Sequence, residues 1–516
     1  MDEAAFHCQS ADITERNRTS LFGPPPTSAT PAQLGTSMRS PISVITAGLR
    51  NMSLQAPGLR QTNRHQGAKV PGQVTLSDSS KLHVPPKAIS VAPVGKGAMG
   101  PRRVLIIVEN LPVPFDRRVW SIAKTLRSAD YVVSVICPKA REYTASEETI
   151  DGIHIYRHPL PIEARGAAAY LIEYPVALFW EFILSLKVAW RHGFDIIHAC
   201  NPPDLICLIA LIYKLFGRKR FLFDHHDVNP ELYEAKFGRR DFMWRLLLAA
   251  ERLTFWVADV SIATNDSYRQ VAIERGRMPS DRVFVVRSGP SVECVKAVPP
   301  APRWRNGRQY MVGYVGVISQ SEGLDLLLES IDYIARKRKR NDIQFVVVGR
   351  GPDLQSIVAL AEKMRLSDRV TFAGRVDDAT LFEILSTADV CVNPDRVTKM
   401  NDISTMNKIM EYMALGKPIV QFDVTEGRYS AQQASLYAAP NDPIDFGDKI
   451  LELIDDPDQR MRMSEFGRRR LQDVLAWHHQ APRLRQAYDK LFALGSSQSS
   501  TRPRAQSTAK HTPNNN

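Results

Sequence analysis

Residues 401–420, NDISTMNKIMEYMALGKPIV, set Lys408 and Glu411 three positions apart behind a run of small polar residues. Ser404 and Thr405 have the side chains of helix N-caps, and Asp402 adds negative charge to a first turn. From Ser404, one helical face reads Ser404, Lys408, Glu411, and the opposite face reads Met406, Ile409, Met410, Met413, Ala414. The second face is apolar enough to lie on a sheet. Gly416 ends the helix and Pro418 prevents its return before an apolar strand. An exposed helix N-terminus with a lysine beside it suits a phosphate. A carboxylate further along suits a pair of sugar hydroxyls. The competing reading is an ordinary surface Lys–Glu pair on an amphipathic helix.

A second group of chemistry-bearing residues is Asp224, His225, His226 and Asp227, at the end of KRFLFDHHD. These side chains include metal donors, but neighbours on a strand point to opposite faces and converge poorly. Asp456-Pro457-Asp458 spells an acidic pair, yet it opens a basic helix and reads as a cap. We therefore expect no metal and no separate cofactor. For the adjacent His225 and His226 the competing reading is a structural role in the DHHD run. His198, at a strand end, reads as structural.

The elements that must position these groups alternate. RVLIIVE (103–109), YVVSVICP, FDIIHAC (194–200), KRFLFDHHD (219–227), ADVSIATN (258–265) and RVFVVRSG (282–289) read as buried strands separated by helical patterns. A Pro-rich, basic break follows at 288–310. The alternation then restarts with MVGYVGV (311–317), IQFVVVG (343–349), RVTFAG (369–374), ADVCVNP (388–394) and PIVQFD (418–423). Such alternation predicts α/β architecture with doubly wound parallel sheets. Two such domains in tandem place a cleft at the carboxyl ends of both sheets.

The 516 residues carry a net charge of +12, and 44% are apolar. The six cysteines form no C-x-x-C pair, which fits a reducing compartment. Residues 1–100 hold ten Lys/Arg against five Asp/Glu and are rich in Pro and Ser; they and 496–516 read as disordered tails. The first 30 residues hold no apolar signal core, and Met99 stands as an alternative start. The predicted domains are 101–290, a linker at 291–309, 310–480, and a helix at 481–495 that crosses back. Residues 170–190 have the length of a membrane span but carry Glu173, Glu181 and Lys187. DLICLIALIYKLFG and MWRLLLAAERLTFWVA are shorter, aromatic-rich and flanked by basic residues. All three read as packing helices or as helices lying in a lipid interface.

Together, NKIMEYMALGKPIV, VVVGRGPDL, VTFAGRV, FDIIHACNPPD and HHDVNPELY resemble glycosyltransferase family 4, over roughly 103–495. The resemblance implies a GT-B fold of two Rossmann-like domains facing a cleft. It implies retaining transfer of a hexose-type sugar from a nucleotide-sugar donor. Glu411 matches the glutamate that holds the donor ribose. The helix starting near Ser404, with Thr405 and Asn407, would aim at the diphosphate. Gly316, Gly349 and Gly351 would face the donor, main-chain groups at Arg375 and Val376 its base. His226 would stand at the reacting centre, with His225 as the alternative and Asn201 and Asp227 on the acceptor side. In two places the chain departs from the pattern. Ile403, not an acid, lies eight before Glu411, and Asp402 is the substitute. Val317 and Glu322 stand where a basic pair binds phosphates, and Lys408 is the substitute, with Arg396 and Lys399 behind it.

A glycosyltransferase leads the candidate functions. A sugar-nucleotide epimerase of the same fold, a catalytically silent scaffold and, last, a nucleic-acid binder follow. The positive charge is spread over tails and helices without interleaved aromatics, so no nucleic-acid partner is expected. The expected acceptor is a polyprenyl-diphosphate-linked sugar, used in polysaccharide biosynthesis by a cytoplasmic protein at an anionic membrane surface.

Overall fold

The computed structural model describes residues 101–140, 142–159, 167–291 and 295–499. Residues 1–100 and 500–516, read above as tails, lie outside the described residues.

The first lobe is built on eight strands: β1 (Arg103–Val108), β2 (Val132–Pro138), β3 (Glu147–Ile150), β4 (Ile153–His158), β5 (Ile196–Cys200), β6 (Arg220–His225), β7 (Val260–Ala263) and β8 (Val283–Val285). Their order is β3-β4-β2-β1-β5-β6-β7-β8. All neighbours are parallel except β3 on β4. Its helices are α1 (Arg117–Arg127), α2 (Ala167–Arg191), α3 (Cys207–Gly217), α4 (Asn229–Phe237), α5 (Phe242–Val257) and α6 (Asp266–Glu274).

The second lobe carries β9 (Tyr310–Val315), β10 (Ile343–Val348), β11 (Val370–Gly374), β12 (Val390–Asn393), β13 (Ile419–Phe422) and β14 (Ser435–Ala438), in the order β11-β10-β9-β12-β13-β14. Its helices are α7 (Leu324–Asp332), α8 (Leu354–Lys363), α9 (Asp378–Thr387), α10 (Lys399–Ile403), α11 (Asn407–Ala414), α12 (Thr425–Ala431), α13 (Pro443–Asp455) and α14 (Pro457–Arg470). Last comes α15 (Trp477–Ser499). Two parallel-sheet lobes of this kind are the GT-B architecture.

The strands are continuous apolar runs because each sheet is covered on both faces. In the first lobe, Val104 and Ile106 pack with Ile122 and Leu126 of α1 and Leu484 and Leu491 of α15. On the other face, Leu105 and Ile107 pack with Val188 of α2, Ile209 of α3 and Phe255 of α5. Helix starts carry side-chain caps: Asp116 accepts from the Val119 amide, Asp241 from Met243, and Asn265 from Tyr268. Asp456 caps α14 through the Gln459 amide, which is the role read for it in the sequence.

Helix α15 follows the second lobe and packs on the first. Tyr488 is 1% exposed, and its hydroxyl lies 2.8 Å from His198 Nδ1. Trp477 Nε1 donates to Thr125 Oγ1 at 2.8 Å. The crossing helix begins four residues before the expected 481 and continues beyond 495. Tyr488→Ala should cost about 3–5 kcal/mol by emptying an aromatic core position. Tyr488→Phe should cost about 1 kcal/mol by leaving His198 Nδ1 without its hydrogen-bond partner. Urea denaturation of the two variants checks both the loss and its order.

Candidate functional site

The β1–α1 connection and the start of α1 lie against the second lobe. Arg117 Nη1 donates to Glu411 Oε1 at 3.2 Å, and its Nη2 to Asp378 Oδ1 at 2.9 Å. Arg375 lies over the Phe115 ring, 4.8 Å from its centroid. Glu411, Arg375 and Asp378 thus share one edge of the cleft with Phe115 and Arg117. Burial raises the Glu411 carboxyl, and Arg117 pulls it back down. Asn407 is exposed at the first turn of α11, where backbone amides lack partners within the helix.

The helix itself starts later than the sequence suggested. The chain breaks at residues 404–406 between α10 and α11, and the N-cap position of α11 is Met406, without a side-chain cap. Ser404 Oγ donates to the Met400 carbonyl at 2.6 Å and lies 2.9 Å from the Tyr268 hydroxyl. Thr405 Oγ1 accepts from Asn265 Nδ2 at 3.0 Å. These two residues therefore join the lobes and do not cap the helix. Asp402 is also spent: it accepts from the Thr425 amide at 2.8 Å and from its hydroxyl at 3.1 Å, at the start of α12. Ile403 packs with Met400, Val228, Ala263 and Tyr268 in an apolar plug between the lobes.

Lys408 is buried rather than displayed on a charged face. Its ammonium donates to Asp395 at 2.8 Å and also bonds Glu322. Burial opposes its charge, but Asp395 and Glu322 overcome that and raise its pKa. Burial pushes Asp395 up to about 7, with Lys408 opposing and Glu322 adding to the rise. Glu322, standing where the resemblance called for a base, is thus the partner of the lysine thought to replace that base. Arg396 is committed to Asp325 and to the Gln320 carbonyl, and Lys399 is exposed. Arg117 is the cation hydrogen-bonded to Glu411, and Arg375 lies over the ring of the nearby Phe115.

The three glycines mark close backbone approach. A β-carbon on Gly349, whose φ is +143°, would lie 1.8 Å from the Gly316 carbonyl oxygen; one on Gly351 would lie 2.1 Å from that of Ile318. One on Gly316 would meet the Tyr314 hydroxyl at 2.4 Å. Val376, after β11, packs into the second lobe's core.

In the first lobe, Asp224 is the centre of a buried cluster. Arg118 reaches it at 2.7 and 3.1 Å, His198 Nε2 at 3.4 Å and His226 Nε2 at 2.8 Å. Burial would raise the Asp224 carboxyl, yet Arg118 and His226 hold it well below the carboxylate range. Asn201 Oδ1 accepts from the His226 amide at 2.7 Å and the Asp227 amide at 3.2 Å, and its Nδ2 donates to the Asp227 carbonyl and to Asp204. Asn201 therefore brackets the 226–227 backbone, with no donor left for an acceptor sugar. His225 is fully buried, with no hydrogen bond to either ring nitrogen and Glu251 3.8 Å from Nε2, and its pKa is driven down to about 3 by burial and Arg275. That removes it as the alternative to His226.

His198, Cys200 and Asp224 bring three donor atoms within 4.8 Å of one another. The set fits an ion pair better than a cation: Asp224 is occupied by Arg118, and burial holds the Cys200 thiol well above its ordinary value.

Sequence reasoning missed Arg117, Arg118 and Asp395, and weighed Asp224 only as a metal donor. The first two did leave a signal. A pair of arginines at a helix N-terminus opposes the helix dipole, so something else must hold them there.

Comparison with known proteins decides the family. Residues 116–293 match the pattern of Glycosyltransferase Family 4, and 309–456 that of Glycosyl transferases group 1. The chain belongs to glycosyltransferase family 4. The chain is 25% identical over 224 residues to alpha-D-kanosaminyltransferase of Streptomyces kanamyceticus, covering 42% of this chain and 56% of that one. It spans about half the length of the curated relatives it matches. Sucrose-phosphate synthase from Thermosynechococcus elongatus superposes with a TM-score of 0.65 at 19% identity, over 76% of this chain and 100% of that one. Anabaena HepE, solved in complex with UDP-glucose, superposes with a TM-score of 0.58 at 15% identity, over 76% and 99%. These two likenesses establish the GT-B fold of the chain.

Arg118→Ala should destabilise the first lobe by about 3–5 kcal/mol, because Asp224 would keep a buried charge without its main partner; thermal and urea unfolding measure this. Asp395 has a folded-state pKa of about 7, above its unfolded value of about 4. Its contribution to stability is therefore full below about pH 4 and lost as pH rises through about 7. The melting temperature of wild type should therefore fall relative to that of Asp395→Asn as pH rises across that window. A constant difference refutes the assignment.

Proposed function

We propose that the protein transfers a hexose-type sugar, with retention, from a nucleotide-sugar donor to a lipid-linked glycan acceptor. The observation that carries this reading is Glu411, a half-buried carboxylate on the second lobe, held across the cleft by an arginine of the first. Ribose hydroxyls would take the place of Arg117 on that carboxylate. The freed guanidinium then lies at the cleft with Arg375 and the amides at the start of α11, where a leaving diphosphate develops its charge.

None of the residues around Glu411 is placed as a nucleophile. On the front-face route the leaving phosphate takes the acceptor's proton. His226, set by Asn201 through its amide and by Asp224 through its ring, would steady the sugar beside it. HepE with UDP-glucose supports a uridine nucleotide as the first donor to try.

The acceptor reading rests on the outer surfaces of α2, α3 and α5, which share one face of the first sheet. They expose Phe179, Trp190, Leu215, Phe216, Phe242 and Trp256. Among the described residues, no helix is long and apolar enough to cross a membrane. Exposed aromatic side chains on helices flanked by Arg and Lys suit a peripheral position on anionic lipid. A polyprenyl-diphosphate-linked sugar at the cytoplasmic face, used to build a polysaccharide unit, is the acceptor this favours. The silent-scaffold reading is favoured by one observation, the neutralisation of Lys408 by two carboxylates.

Titration calorimetry with a panel of nucleotide sugars separates the two. One donor should bind, and Glu411→Gln should weaken it by about 10–100-fold, the value of a hydrogen bond to a charged group. Equal affinity in the variant overturns the placement of the donor. Failure of every donor to bind folded protein supports the scaffold.

A further inference from the structure

Away from the cleft, the C-terminal end of α5 and the 275–282 connection line a half-open cavity of about 440 Å³. Four arginines line it: Arg252, Arg275, Arg277 and Arg282. Arg275 is fully committed, to Glu231 at 2.5 and 3.1 Å and to Glu251 at 2.6 and 2.7 Å. The other three make no hydrogen bond or ion pair to a carboxylate among the described residues. The nearby Asp281 is held instead by Lys490 at 2.6 Å. Arg252 and Arg277 are exposed and Arg282 is half-buried beside Asp281, so the three guanidiniums share one rim where water screens their mutual repulsion and an anion can reach all of them.

The cavity wall is fixed by packing. A β-carbon at Gly276 would fall 2.5 Å from the Phe255 ring and 2.6 Å from the Ala272 carbonyl oxygen, so the turn carrying Arg275 and Arg277 sits directly on Phe255. Arg277 is held at φ 55°, a conformation that disfavours a residue with a side chain. The remaining lining is apolar, with Met278 5% exposed and Trp256 74% exposed. Guanidinium forks match phosphate oxygens in pairs, whereas an exposed tryptophan beside them suits the boundary between water and lipid.

We propose that this cavity binds the phosphate headgroup of an anionic membrane lipid, with Arg252, Arg277 and Arg282 as the phosphate ligands and Trp256 in the adjoining lipid. The phosphate chemistry rests on the arginines alone. The lipid as its source rests on the membrane reading above, since Phe242 and Leu246 of the same helix are also exposed.

The test uses the full chain and the double variant Arg252→Gln/Arg282→Gln, with circular dichroism and melting temperature confirming its fold. Flotation compares vesicles of phosphatidylcholine with vesicles also containing phosphatidylglycerol. A second arm follows tryptophan fluorescence and melting temperature on addition of soluble glycerol phosphate. Wild type should prefer the anionic vesicles by about tenfold, and the variant should lose that preference while still floating with the neutral ones. A variant that retains the preference overturns the lipid site and leaves membrane docking intact. Wild type that floats with neither vesicle overturns both the lipid source and the membrane reading. Glycerol phosphate that stabilises wild type but not the variant, without vesicle preference, assigns the site to a soluble phosphate and overturns the lipid. No difference between the two proteins in either arm overturns the phosphate site altogether. Donor binding tested through Glu411 is independent of all these results.

Discussion

A carboxylate with no exposed surface is tolerable only when its charge is met on the spot, and Asp224 is such a group. Arg118 meets it from α1, His198 from β5 and His226 from the connection after β6. The same Arg118 donates to the Val286 carbonyl at 2.7 Å and lies 3.1 Å from Ser288 Oγ, at the exit of the first lobe. His198 hands the constraint on to Tyr488 of α15. One buried charge thereby sets the angle of α1, the path of the chain leaving the first sheet and the seat of the returning helix. Arg117, the neighbour of Arg118 in the first turn of α1, reaches Glu411 from the same helix end.

The two lobes meet along a seam that mixes apolar and polar contact. Ile403 and Met400 press on Val228, Ala263 and Tyr268, while the buried Asn265 donates across to Thr405 and to the Ile403 carbonyl. The Asn265 oxygen meanwhile caps α6. Arg287, 3% exposed, joins Glu426 from the other lobe and lies over the Tyr429 ring at 3.8 Å. The isoleucine at position 403, which breaks the family pattern, thus serves the contact between lobes. A carboxylate there would sit in an apolar plug without a partner.

Both sheets were legible because parallel strands covered on two faces are unbroken apolar runs between helical patterns. What escaped notice was short or polar. β3 reads EETI with alternating exposure, and β4 joins it through Asp151-Gly152, both at positive φ. That dipeptide is a hairpin signal, available in the sequence and overlooked. The break between α10 and α11 was missed because Ser404 and Thr405 have good capping side chains, and only tertiary contact reveals that Tyr268 and Asn265 claim them. Lys408 looked like a surface charge for a related reason. Spacing of three places it near Glu411 on a helix, but its two carboxylates come from residues 322 and 395, separations that no helical periodicity reports. Glu411 was legible because its role needs only a helix and an open end.

The interlocked glycines carry an implication for how such a protein can diverge. With Gly349 and Gly351 set against the backbone of residues 316–318, the loops after β9 and β10 behave as a single ply, laced by the Gly316 amide to the Val348 carbonyl and the Ile318 amide to the Arg350 carbonyl. A side chain added at either of the two glycines has to part main chain from main chain, and neither strand end can yield alone. Novelty at this rim is therefore channelled into residues whose side chains point away from the lacing, such as the exposed Val317 and Arg375, while the ply beneath them is inherited whole.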